Sequence, residues 1–244
     1  MFWLLATMAC GFEPMDTGTD TGTDTVDRGD PVDVIVYPTA GMKRVLLYHG
    51  HGGQELKPRG GIVETWRAEG WEVRPDDQFP SDLKPFRLIV FTAAGTDSST
   101  PFTEGQIISL TSALERGTRL VFLQEDSKCV TDNVSALLDA LAIPMAFDQP
   151  LPTSTPAPQS FSTVAADTQL MSDVAAMSLA DPCGLTVGGS WMLRSDDSVP
   201  LVSAYRPGTG GDVVLIGDTD FLKDGALYED QNLIFAQNLA KVLP

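Results

Sequence analysis

The two histidines of the chain, His49 and His51, lie in the run His49-Gly50-His51-Gly52-Gly53. An imidazole can ligate a metal, move a proton near neutral pH or hydrogen-bond a ligand. The flanking glycines can turn successive backbone N–H groups toward an anion. Far downstream, Asp218 and Asp220 alternate with Thr219, which puts both carboxylates on one face if the backbone is extended. Two His and two Asp form a reasonable donor set for a divalent metal, the one cofactor these residues suggest. Glu125 and Asp126 could form a general acid–base pair. Each group also has a plainer reading. The glycine-rich run can be a tight turn with exposed histidines, Asp218 can cap the turn that follows it, and Glu125-Asp126 can be a solvated strand end. Trp66, Trp71 and Trp191 could stack on a sugar, although the spacing around Trp66 puts it in a core.

These residues need a scaffold, and the hydrophobic pattern supplies one. Val45–Tyr48, the runs RLIVF from Arg87 and RLVFL from Arg119, and Val213–Ile216 are continuous apolar segments. Such runs suit strands buried on both faces of a parallel sheet. Between them, helical spacing recurs at 61–69, 103–117 and 133–142, closed by Gly70 and Gly117 in the first two cases. Thr103 and Gln106 have the spacing of a capping box. WEVRP, from Trp71, reads as a further strand, and VDVIVYP, bracketed by Pro31 and Pro38, as an edge strand. Residues 148–160 are proline-rich, and 161–205 read as short strands and turns. Residues 200–220 look like two strands joined through Pro207 to Gly211. A last helix spans Gln231–Leu243, with Leu233, Ile234, Leu239 and Val242 facing the core. The expected architecture is α/β: a mostly parallel, doubly wound sheet flanked by helices, with an irregular β-rich insertion around 148–205. If the last central strand lies beside the first, the histidines and Asp218/Asp220 converge.

The 33 acidic residues exceed the 16 Lys and Arg, for a net charge of −17. That balance argues against nucleic acid and against basic attraction to an anionic membrane. Residues 1–10, MFWLLATMAC, are an apolar stub ending in Cys10. Residues 11–31 follow, with a repeating Thr-Asp-Thr-Gly pattern from Asp16 to Thr25 that has too little apolar surface to order itself. The Asp spacing lacks the Gly and terminal Glu of an EF-hand loop. The stub resembles a bacterial lipoprotein signal peptide, with Thr7 where a Leu-like residue is usual. The resemblance implies lipidation at Cys10, a disordered tether, and a folded domain over 32–244 in the bacterial cell envelope, lipid-anchored or secreted. Membrane contact would then run only through the N-terminal lipid. In an oxidising compartment Cys129 and Cys183 can pair, closing a loop worth about 4 kcal/mol in the chain-entropy model. The alternative is two separate buried thiols.

The segment Gly217-Asp218-Thr219-Asp220-Phe221, followed by Asn232 near a helix start, resembles class I glutamine-amidotransferase-like domains. It is closest in pattern to their non-catalytic, flavodoxin-like branch of unknown-function and gliding-motility-associated domains. Active amidotransferases carry a nucleophilic cysteine just after the strand that here reads LVFLQED, and a late His-x-Glu pair. Here Gln124, Glu125 and Asp126 fill the nucleophile turn, Cys129 comes later, and both histidines are early. The His-Gly-Gly run also resembles the oxyanion loop of esterases, but no Gly-x-Ser-x-Gly elbow accompanies it. The sequence therefore implies a non-catalytic domain that binds an envelope protein or a glycan. The rival is a secreted, metal-dependent hydrolase using His49, His51, Asp218 and Asp220.

Overall fold

The computed structural model describes residues 43–56, 61–93, 100–124, 129, 131–151, 158–165, 168–188, 190–208 and 210–241. Cys10, the linker, the edge strand VDVIVYP, Glu125, Asp126 and Val242 lie outside them. In chain order the elements are β1 (Arg44–Tyr48), α1 (Gly61–Ala68), β2 (Glu72–Asp76), β3 (Leu88–Thr92), α2 (Glu104–Glu115) and β4 (Arg119–Leu123). Then come α3 (Asp132–Ala140), β5 (Met145–Pro150), β6 (Gln159–Phe161), β7 (Thr163–Val164), β8 (Met177–Leu179) and β9 (Cys183–Val187). The chain closes with β10 (Ser190–Arg194), β11 (Pro200–Tyr205), β12 (Val213–Ile216) and α4 (Asn232–Ala240).

The protein is α/β, with a large central sheet in the order β2-β1-β3-β4-β12-β11-β10-β7. The pairings β2-β1, β1-β3, β3-β4 and β4-β12 are parallel. Every residue of β1, β3, β4 and β12 is buried, as their unbroken apolar runs require. Alternate residues feed two cores. Val45, Leu47, Val90, Val121 and Val214 share one core with Trp66 of α1 and Phe235 of α4. Leu46, Ile89, Phe91, Phe122 and Leu215 share the other with Leu110 of α2 and Leu137 of α3. β2 is at the sheet's edge, where Pro75 leaves no ladder bond unmade. The Thr103–Gln106 capping box forms in both directions.

Two expectations need correction. The segment 148–205 is not a separate insertion. β11, β10 and β7 extend the central sheet in antiparallel fashion beyond β12, and only the β5-β9 and β6-β8 pairs stand outside it. The antiparallel pairing of β11 with β12 is where the sheet changes direction. In α4 the buried side is Asn232, Phe235, Ala236, Leu239 and Ala240, whereas Leu233 and Ile234 are only partly buried. The helix faces the core through its aromatic and small residues, because α4 packs closely against α1, where Trp66 Nε1 donates to the Ala236 carbonyl at 3.0 Å.

A buried ion pair ties the sheet to α4. Arg119, at the start of β4, is 2% exposed and grips Asp212 through Nε (2.7 Å) and Nη2 (2.8 Å). Its Nη1 donates to the Leu239 carbonyl at 2.8 Å, an orphan acceptor at the helix end. Removing one member of a buried pair strands the other. Arg119→Met should lower unfolding stability by about 3–5 kcal/mol in urea titrations, and Arg119→Met/Asp212→Leu should recover part of the loss. A single variant as stable as the parent would show that the pair does not matter.

Candidate functional site

In open α/β sheets ligands bind beyond the carboxyl ends of the strands, where the glycine-rich run lies. His49 N–H donates to the Asp76 carbonyl at 3.0 Å and Gly53 N–H to that of Gly50 at 3.1 Å. The turn this closes has positive φ at both central residues, His51 (55°) and Gly52 (79°). Thr92, at the end of β3, clamps it: its hydroxyl donates to the Gln54 carbonyl at 2.5 Å, and Gln54 N–H donates to its carbonyl at 2.7 Å. Gly50 is required for a different reason. A Cβ there would overlap the Tyr48 hydroxyl and the Asp77 carbonyl.

His51 is therefore not simply a solvated loop residue. Its Nδ1 is 2.6 Å from the Tyr48 hydroxyl, and its ring stacks on Phe102 with centroids 4.1 Å apart. Tyr48 in turn packs edge-on against Phe79 and Phe91. Burial, aided by the charges of Asp76 and Asp77, pushes the Tyr48 phenol up from 10.0 to about 12. A phenol that keeps its proton can donate to Nδ1. The left-handed backbone of His51, costing about 1–3 kcal/mol, is held by these neighbours. Tyr48 and Phe102 were hidden in the sequence. Tyr48 ends a strand pattern, and Phe102 occupies the position before a helix cap, where an apolar residue usually serves as a staple.

The Asp pair lies at a different corner. Asp218 is 1% exposed, and its carboxylate accepts from Asp220 N–H at 2.6 Å and from Ala180 N–H at 2.9 Å. It caps its own turn and pins the segment after β8. Asp220 pairs with Lys223. Nearby, Cys129 and Cys183 are joined in a disulfide, their Cα atoms 5.4 Å apart. Asn232, fully buried, bonds both the N–H and the carbonyl of Ser178 (3.0 and 2.7 Å) and the Ala226 carbonyl (2.8 Å). The residues shared with the amidotransferase-like pattern thus fasten β8 and the start of α4 to the end of β12.

The structure does not bring the four candidate metal ligands together. β3 and β4 separate β1 from β12, about 14 Å at the usual strand spacing. Among the described residues, no group of three or more His, Cys, Asp and Glu could hold a metal. The convergence expected from adjacent strands fails because the last parallel strand pairs with β4, not β1. Nor do the tryptophans form a platform: Trp66 is fully buried and Trp71 nearly so, while Trp191 lies under the Arg194 guanidinium, 3.9 Å away.

Tyr48 links this site to pH. Because its folded pKa is raised, its contribution to stability is full below pH 10 and is lost as pH rises through about 12. Tyr48→Phe should flatten that alkaline decline in denaturation curves, and an unchanged slope would remove the assignment. Gly50→Ala should cost about 1–3 kcal/mol, since the buried phenol has no room to retreat.

No family model matches the chain, and no curated protein sequence resembles it closely enough to match. Solved structures do match. The mmIFT52 N-terminal domain is similar over 80% of this chain and 97% of its own, with a TM-score of 0.63 and 13% identity. A cytoplasmic protein of Salmonella typhimurium LT2 is similar over 83% and 100%, with a TM-score of 0.59 and 11% identity. A glutamine amidotransferase of Thermotoga maritima is similar over 82% and 96%, with a TM-score of 0.53 and 12% identity. At these identities the likeness is one of fold: the chain has a mixed α/β architecture similar to that of a glutamine amidotransferase.

Proposed function

We propose that this chain is a non-catalytic binding domain of the bacterial cell envelope, held there by lipid on Cys10 and engaging a protein or glycan partner. Its scaffold is read as doubly wound and flavodoxin-like, within the non-catalytic branch of the amidotransferase-like domains. The strand order β2-β1-β3-β4-β12 and the division of helices between two cores support that reading.

One observation carries the non-catalytic part. Cys129 is the first cysteine after β4, and its sulfur is bonded to Cys183. A thiol nucleophile must be a free thiolate with a base beside it. Cys129 has neither property, since both histidines follow β1 at the far side of β3. A structural disulfide also fits an oxidising compartment, which supports the envelope assignment independently of the N-terminal stub. The rival hydrolase loses its ground with the dispersal of His49, His51, Asp218 and Asp220.

Purified protein given glutamine should release no ammonia above the enzyme-free blank. Release that disappears in Cys129→Ser would overturn the reading. Mass spectrometry of the protein from membrane fractions should find an acylated N-terminal Cys10, and an unprocessed Met1 would contradict the tether.

A further inference from the structure

The amino edge of the central sheet, opposite the histidine turn, holds an open groove of about 930 Å³. Five cations line it: Lys43, Arg87, Arg116, Arg206 and Lys241. The whole chain has only 16 Lys and Arg against 33 Asp and Glu, so nearly a third of its cations gather at one concavity. Three carboxylates line it too, Glu69, Glu115 and Asp212, and Asp212 is already neutralised by Arg119. A local positive field inside an acidic protein needs a cause.

Helix dipoles explain part of it. Arg116 and Lys241 end α2 and α4, where a cation favours the partial negative charge of the terminal carbonyls. Arg87 and Arg206 have no such reason. They precede β3 and follow β11, both are exposed, and neither guanidinium meets a carboxylate among the described residues. Self-repulsion between uncompensated arginines is tolerated most readily where a ligand relieves it.

The mixture of charges narrows the ligand. A densely charged polyanion would meet Glu69 and Glu115 inside the groove and a net charge of −17 around it. A ligand whose carboxylates are spaced by hydroxyl-bearing sugar rings meets both objections more weakly. Guanidinium forks match carboxylates in bidentate fashion, and glutamates accept hydrogen bonds from hydroxyls. An open groove, unlike a closed cavity, admits a chain that continues at both ends. We propose that this groove binds an acidic polysaccharide, with uronate-type carboxylates on Arg87, Arg116 and Arg206 and sugar hydroxyls on Glu69 and Glu115. The inference rests on reading the chain as a binding domain, and it names a glycan as the partner.

The test is calorimetric titration of the full chain with a galacturonate hexamer, beside its full methyl ester and inorganic polyphosphate. The acid form should bind, the ester should not, and added salt should weaken binding. Arg87→Gln and Arg206→Gln should each weaken it about threefold and together about tenfold. Both side chains are exposed and meet no carboxylate among the described residues, so melting temperatures should stay at the parent value, which separates lost contact from lost fold. No binding of the acid, equal binding of the ester, affinity unchanged in the double variant, or tighter binding of polyphosphate would each overturn the proposal. Ammonia release from glutamine in the same preparation tests the non-catalytic reading separately. A silent groove with no ammonia sinks only the glycan assignment, whereas ammonia sinks the non-catalytic one.

Discussion

At the carboxyl end of β12 two backbones cross so closely that Gly217 has no space for a side chain. A Cβ there would overlap the Cys183 carbonyl, while Cys183 N–H donates to the Gly217 carbonyl at 2.6 Å and Gly217 N–H donates to that of Leu201 at 2.9 Å. The disulfide from Cys183 to Cys129 then fastens the chain beyond β4 to the same point, and the Asp218 carboxylate fastens the approach to β9 through Ala180. Parallel core, antiparallel extension and the β5-β9 pair all meet here. In an amidotransferase the turn after the β4-equivalent strand must leave a thiol exposed and reactive. Here Cys129, beyond β4, is bonded to Cys183, and that bond is the ground of the proposed non-catalytic reading.

The two ends of the sheet consequently differ in character. The carboxyl end carries a tightly held turn, in which His51 is fixed between Tyr48 and Phe102, and a cross-linked corner about three strands away. The amino end is open and basic. Arg119 and Asp212 form the floor there, locking β4, β12 and α4 together, and Arg87, Arg116 and Arg206 stand around that floor. A binding surface built on such fixed elements requires little ordering when a ligand arrives.

Much of the sheet was legible because β1, β3, β4 and β12 are buried on both faces, and only unbroken apolar runs satisfy that environment. The capping box was legible because it is local, made by residues three apart. What failed was long-range. Nothing in residues 190–205 says whether those strands pair with each other or with β12. The side of α4 that meets the core depends on Trp66, 170 positions away from its partner Ala236. The metal reading failed on strand order alone, which local pattern does not encode. Asp218 illustrates the opposite case: its turn-capping role follows from its own backbone neighbourhood and was among the readings the sequence offered. The basic groove was invisible because its five cations are scattered from 43 to 241 and meet only when strand starts and helix ends share one edge.

The closed corner is tested most directly by thiol mapping. Unreduced, natively purified protein would be alkylated, digested and examined by mass spectrometry. The account predicts that the Cys129 and Cys183 peptides emerge as one linked species, with neither sulfur labelled. Alkylated Cys129 in folded protein would contradict it, because a free thiol beside β4 restores the nucleophile that the closed corner is argued to lack.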